Sequence, residues 1–206
     1  MGDKGQRTRE RILDVSQRLI LQKGFSGVAI DEIVYEADIT KGGFFYHFKN
    51  RNDLARSLME RYLEEDDRLI RGLIERAKTL VDDPLQRVLA FLTLYADLLQ
   101  QVEGVHPGCL VASYTYESQM FDEEVVALTR AGTESWKRMF IEHFAPVLET
   151  HDTDVPVEDL ADMLNALLEG GILLSRIMGD NAVLNKQILL FRDYVKRVFH
   201  RRHDAV

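Results

Sequence analysis

The 206-residue sequence has few of the residues that stabilise secreted or turn-rich proteins. Its one cysteine, Cys109, cannot form an internal disulfide, which fits a reducing compartment. Its four prolines leave long uninterrupted segments, which favour helices over a β-sandwich. No run of about 18 apolar residues is present, and the N-terminal MGDKGQRTRERILD lacks an apolar segment after its charges. We therefore expect neither export nor membrane insertion, and a cytoplasmic location.

The charge is distributed unevenly along the chain. The formal net charge is −8, which opposes binding to a polyanion if it is spread evenly. However, residues 1–56 carry 10 Lys and Arg against 8 Asp and Glu, whereas the remainder carries 16 against 26. A difference of this size is common between arbitrary segments, so it supports nucleic-acid binding only if a matching motif lies in the N-terminal part.

Apolar residues recur at helical spacing through most of the chain, and no segment shows the period-two alternation of a strand. With 46% hydrophobic residues, the chain has enough apolar residues for a packed core. We predict an all-α fold of about nine helices, with an N-terminal domain at residues 1–50 and a larger domain at residues 51–206. The predicted helices are residues 8–24, 30–37, 40–48, 51 to about 73, 85–102, 109–116, 122–148, 157–178 and 181–202.

Residues 30–48 have the pattern of a helix-turn-helix, in which a short second helix presents polar or basic groups to base edges. Phe44 and Phe48 are four residues apart, so they give the second of these helices an inward anchor. Glycines cost about 1 kcal/mol each in a helix, so Gly42 and Gly43 need another reason. Close approach of the backbone to DNA supplies one. The outward set is Thr40, Lys41, Gly43, Tyr46 and His47.

The segment from Arg7 to Leu58 resembles the N-terminal DNA-binding domain of the TetR family of bacterial transcriptional regulators. The resemblance lies in RERILDVSQRLILQKGF followed by AIDEIVYEADITKGGFFYHFKNRNDL. It implies a three-helix DNA-binding domain followed by a larger helical domain for effector binding and dimerisation. It further implies a homodimeric repressor that binds a double-stranded, pseudo-palindromic operator and is released by a small, largely apolar molecule.

The resemblance also implies which residues contact DNA. Lys41, Gly42 and Gly43 are expected near the bases, with Thr40 opening the recognition helix. Phosphate contacts are expected from Tyr46, His47, Lys49 and Arg51. The alternative for His47 is a packing role, and the alternative for Arg51 is a surface position without a partner.

This sequence departs from the family pattern at three places. Phe45 stands where the family usually has Tyr, so a hydroxyl for phosphate is missing. Val28 and Ala29 stand where a capping Thr or Ser is usual. Asp38 replaces the usual glycine of the turn, but Asp tolerates a left-handed conformation better than most residues.

The last two long helices have apolar faces wider than one neighbouring helix can bury. A second subunit is the simplest cover, and the family resemblance implies the same. We predict a homodimer interface that includes Leu164, Leu167, Gly171 and Phe191, with burial inside one chain as the alternative.

The middle of the chain is rich in aromatic residues, which can line an apolar pocket and also supply polar groups. The predicted effector-binding residues are Tyr95, Cys109, Tyr114, Trp136 and Phe140. For each aromatic residue, ordinary core packing is the alternative. Cys109 lies at a predicted helix start, where a thiolate is favoured, so a thiol-based electrophile or redox sensor stays open beside a buried, inert thiol.

No metal or cofactor is predicted. Glu64, Glu65, Asp66 and Asp67 point around a helix and cannot converge, and His200 and His203 lack a third ligand. An all-α enzyme with an aromatic pocket is the rival class. It lacks a phosphate-binding glycine loop and a Gly-x-Ser-x-Gly elbow, so we expect no catalytic residue.

Overall fold

The computed structural model describes residues 2–202. Within these residues the chain forms nine α-helices, two short 3-10 turns at Ser118–Met120 and Ala145–Glu149, and two three-residue strands. The all-α prediction is confirmed. The helices are α1 (Asp3–Lys23), α2 (Ile30–Glu36), α3 (Lys41–His47), α4 (Arg51–Leu80), α5 (Pro84–Gln100), α6 (Leu110–Tyr116), α7 (Glu123–Phe144), α8 (Val157–Met178) and α9 (Ala182–Val198).

Side-chain caps start α4 and α5 where the sequence indicates them. Asn50 Oδ1 accepts a hydrogen bond from Asp53 N at 2.9 Å, and Asp53 Oδ2 accepts one from Lys49 N at 2.9 Å. This reciprocal pair satisfies two backbone donors at the start of α4. Asp83 Oδ1 accepts from Gln86 N at 2.9 Å and is followed by Pro84, which is preorganised for the first helical position.

The two strands correct the expectation that the chain has none. β1 (His151–Thr153) and β2 (Phe199–Arg201) pair antiparallel, with His151 opposite Arg201. As a result α9 ends at Val198 and does not continue to residue 202 as predicted. Three residues are too few to show a period of two, and this pairing joins segments far apart in sequence, so apolar spacing carries no signal for it.

The chain divides into two compact units. The first unit contains the residues through Glu65 together with Pro107–Thr133, and the second contains Asp66–His106 and the residues from Glu134 onward. The first unit is therefore larger than the predicted domain of residues 1–50. One reason is close packing of α7 on α4, since a Cβ on Gly132 would lie 2.4 Å from Leu63 Cδ2.

Each unit has its own apolar core. In the first unit α1 to α4 are joined by Leu110, Tyr114 and Val125, and in the second unit α5, α8 and α9 pack around the C-terminal end of α7. Between residues 2 and 202, no helix combines the length and the apolar character that crossing a membrane requires.

Candidate DNA-binding interface

The turn between α2 and α3 has the geometry of a helix-turn-helix connection. Asp38 has φ of 48°, in the left-handed region that few residues other than Gly, Asn and Asp adopt at low cost. Ile39 N donates to Val34 O at 3.1 Å and closes the turn. The Asp in place of the usual glycine therefore keeps the tight turn.

α3 has one buried and one exposed face. Phe44 and Phe48 are 0% and 1% exposed in the first core, which confirms their predicted inward position. Thr40 Oγ1 accepts from Gly43 N at 3.0 Å and caps the helix. The exposed face carries Tyr46, 74% exposed. Thr40, Lys41, Gly42, Phe45 and Lys49 are exposed as well.

Among residues 2–202, no neighbouring atom requires glycine at position 42. A Cβ there would lie 3.9 Å from Thr40 Oγ1, an ordinary contact, and a Cβ on Gly43 would lie 3.4 Å from the same atom. Each glycine costs about 1 kcal/mol in a helix. Gly42 has no structural role among these residues that offsets this cost, and it leaves the backbone of α3 bare and exposed.

Lys41 and His47 differ in their surroundings. Lys41 Nζ lies 2.8 Å from Asp31 Oδ1, and both side chains are more than half exposed, so the pair contributes little to stability. His47 is half-buried, and its Nδ1 is buried without a partner. Burial, assisted by the charge of Arg9, lowers the pKa of His47 below its usual value, so the imidazole is neutral at neutral pH.

Arg51 contacts Phe25 within its own unit. Its guanidinium carbon lies 4.5 Å from the centroid of the Phe25 ring, and Nη2 donates to Phe25 O. The predicted phosphate contact of Arg51 therefore competes with two contacts inside the chain. The alternative of a surface charge without a partner is wrong, and the phosphate contact stays a prediction.

A carboxylate that the sequence analysis missed holds the connection between α1 and α2. Glu117 Oε1 accepts from Phe25 N at 2.7 Å, and Oε2 accepts from Ser26 N at 2.8 Å. Burial raises the pKa of Glu117, but the hydrogen bonds from Ser26 and Phe25 and the charge of Arg51 outweigh it and hold the pKa below its usual value. No local pattern could identify this contact, because it joins residues 92 positions apart.

Residues 12–58 match the family described as bacterial regulatory proteins, tetR family, and residues 84–189 match the tetracyclin repressor-like C-terminal domain. The second match alone spans about half of the chain and the first contains the helix-turn-helix. The chain belongs to the TetR family. It is accordingly a DNA-binding transcriptional regulator.

Similar TetR-family proteins cover most of this chain. The transcriptional repressor DhaR of Mycobacterium sp. (strain GP1) is 24% identical over 171 residues, which are 82% of this chain and 82% of DhaR. The transcriptional regulator LmrA of Bacillus subtilis is 26% identical, over 82% of this chain and 86% of LmrA. A TetR-family regulator from Agrobacterium tumefaciens has the same fold, with a TM-score of 0.78 at 21% identity over 95% of this chain and 100% of the other.

The residues predicted to bind an effector divide between the two units. Cys109 and Tyr114 belong to the first unit, whereas Tyr95, Trp136 and Phe140 belong to the second, where they pack in or against its core. Neither unit holds the predicted set as a whole, because aromatic content along the sequence does not report which helices pack together.

Tyr114 is the central aromatic residue of the first unit. It is 1% exposed, stacks on Phe121 at 4.3 Å and donates its hydroxyl to Ala55 O at 3.2 Å. Burial raises the pKa of this phenol. A cavity of about 240 Å³ lies beside it, lined also by Phe121, Thr129 and Arg130. Cys109 is buried at the N-terminal end of α6.

The predicted dimer residues are mostly core residues of their own chain. Leu164, Gly171 and Phe191 are buried in the second unit, and only Leu167 is half-exposed. A Cβ on Gly171 would lie 2.5 Å from Leu184 Cδ1, so this glycine allows α8 to approach α9 within the chain. These three residues are thus covered within their own chain, as the alternative to a partner surface has it. The exposed apolar residues of α8 and α9 are Met163, Leu173, Leu174, Ile177, Met178, Leu190 and Tyr194.

No group of three or more metal-ligating side chains converges anywhere in residues 2–202. Of the two C-terminal histidines considered above, His200 lies in β2 and His203 lies outside the described residues.

Proposed function

We propose that the protein is a homodimeric cytoplasmic repressor that binds a pseudo-palindromic operator through α3 and is released from it by a small molecule. The observation that carries the DNA contact is the exposed face of α3, where bare backbone at Gly42 is flanked by Lys41, Tyr46 and Lys49. Bases and phosphates of DNA are contacted by cations, by phenols and by backbone that can approach the DNA closely. Repression is proposed because DhaR is a repressor. We assign no enzymatic activity.

The homodimer is supported by an apolar stripe on the last two helices. On α8 the exposed residues Met163, Leu174 and Ile177 lie at helical spacing, and Ile177 is 67% exposed. On α9, the apolar residue Leu190 is 52% exposed. Exposed apolar patches of this kind mark protein interfaces, and a copy of the same surface would cover it with two-fold symmetry.

The effector site we propose is the cavity beside Tyr114 and Phe121. It lies between α6 and α7 in the first unit, and α6 leads directly into Glu117. A molecule that displaces α6 would therefore disturb the carboxylate that holds Phe25 and Ser26. The molecule must bind one conformation better than the other, and tenfold release requires about 1.4 kcal/mol of difference.

The test measures release of a selected duplex by a panel of apolar compounds and electrophiles. Thr133→Phe fills the cavity from its exposed edge, so it should abolish release by apolar compounds without weakening DNA binding. Cys109→Ser should leave release intact. If release occurs only with thiol-modifying agents and disappears in Cys109→Ser, the reversible effector is refuted and a thiol sensor replaces it.

A further inference from the structure

The three carboxylates of α2 each pair with a cation on another helix. Glu32 pairs with a lysine of α1, and Glu36 pairs with Arg18 of α1 at 2.9 Å. Asp31 instead pairs with Lys41, the first residue of α3, with 2.8 Å between Oδ1 and Nζ. Two of the pairs therefore join α1 to α2, whereas the third holds a lysine on the exposed face that is proposed to bind DNA.

The pair of Asp31 with Lys41 is not what holds α3 in place. The two side chains are 74% and 61% exposed, and ion pairs this exposed add little to stability. α3 is fixed instead by the Thr40 cap and by the fully buried Phe44. A carboxylate near DNA is also unfavourable, because it repels phosphates. Neither the stability of α3 nor attraction to phosphate therefore explains a carboxylate at this position.

The pair changes what Lys41 can contact. A lysine ammonium has three N–H donors, and Asp31 accepts from one of them, so two donors are left. Because Asp31 balances its charge, this ammonium gains less from a phosphate than an unpaired one does. The two remaining donors match the adjacent O6 and N7 acceptors that guanine presents in the major groove. Asp31 therefore favours contact of Lys41 with a base over contact with a phosphate.

We propose that Asp31 determines sequence specificity by holding Lys41 toward a guanine of the operator. Asp31 touches no base itself and acts as a positioning residue. Its hydrogen bond to Lys41 persists in the specific complex, whereas on other sequences the paired lysine adds little affinity. This inference rests on the proposed docking of α3 on DNA and adds to it the residue that controls the contact of Lys41.

Binding of the full-length protein to two duplexes tests this role. One duplex is selected from random sequences, and the other has the same length and composition in scrambled order. Asp31→Asn keeps the size of the side chain but removes its charge, which frees Lys41 for phosphates. For the scrambled duplex we expect affinity to rise roughly three- to tenfold, and the slope of log affinity against log salt to steepen by about one per protomer. The ratio of selected to scrambled affinity should fall about tenfold.

Two further variants separate positioning from a general effect of charge. Glu36→Gln removes the same charge from α2 but leaves Lys41 paired, so its affinity ratio should equal that of the parent. When Lys41→Gln is already present, adding Asp31→Asn should leave the ratio unchanged, because no lysine remains to be positioned. The urea midpoint of Asp31→Asn should match that of the parent, which shows that the change in ratio does not come from unfolding.

The outcomes distinguish this inference from the docking on which it rests. An equal rise in affinity for both duplexes in Asp31→Asn would show that Asp31 only repels phosphates, and it would overturn the proposal. If Lys49→Ala and Tyr46→Phe weaken binding while Asp31→Asn leaves the ratio unchanged, the role of Asp31 is wrong and the docking of α3 stands. If those two variants also bind as the parent does, the docking of α3 fails and the role of Asp31 fails with it.

Discussion

Replacing Glu117 with Gln tests whether its carboxylate holds the connection between α1 and α2. Glutamine keeps one acceptor oxygen but turns an amide N–H₂ toward a backbone N–H, either that of Phe25 or that of Ser26. Hydrogen bonds to a charged group contribute about 1.5 to 3 kcal/mol each, and partial exposure of Glu117 reduces that value. We expect a loss of about 1 to 2 kcal/mol, which corresponds to roughly five- to thirtyfold in an opening equilibrium.

Native-state amide exchange measures this opening directly. The amides of Phe25 and Ser26 should exchange roughly five to thirty times faster in Glu117→Gln, while amides of the second unit keep their rates. Glu123→Gln, an exposed glutamate in the first turn of α7, is the control and should change stability by less than about 0.5 kcal/mol. Unchanged exchange at Phe25 and Ser26 in Glu117→Gln would refute the reasoning.

The contact also has a defined pH dependence. Because the folded pKa of Glu117 lies below the usual value of 4.5, its contribution is present above that pH and is lost as pH falls through the folded pKa. Glu117→Gln should abolish this part of the acid destabilisation.

Two further predictions concern the second unit. The pKa of His143 falls from 6.5 to about 4 on folding, so the unfolded chain binds more protons between these values and stability falls as pH is lowered from about 6.5 to 4. His143→Phe should remove up to about 3 kcal/mol of this loss in urea titrations, at about 1.4 kcal/mol per pKa unit; an identical pH profile in parent and variant would contradict the neutral, buried imidazole. Ile177→Arg should yield monomers in sedimentation without loss of helicity, whereas Lys186→Gln stays dimeric; an unchanged dimer in Ile177→Arg would move the interface elsewhere.

The sequence predicts the helices well because their signals are local. Apolar spacing indicates α8 with its observed bounds, and Asn50 and Asp83 cap the helices that follow them. The inward position of Phe44 and Phe48 follows from their spacing of four residues.

The features that the sequence does not predict depend on which surfaces of the chain pack together. α8 is apolar on more than one face, and periodicity does not distinguish the face that packs on α9 from an exposed one, so it does not show that Leu164 and Gly171 are covered within the chain. Glu117 and the pairing of His151 with Arg201 are long-range contacts between residues with no shared local pattern.

The salt dependence of binding to a selected duplex tests the central claim most directly, that α3 binds DNA through its exposed face in a dimer. If 6 to 10 phosphates are contacted, affinity should fall by about 10³ to 10⁵ between 50 and 200 mM salt, and the selected sequences should be pseudo-palindromic. Lys49→Ala should lower the slope of log affinity against log salt by about two, one for each protomer, and Tyr46→Phe should weaken binding further. An unchanged affinity and slope in the double variant, with Lys186→Gln as control, would contradict the account.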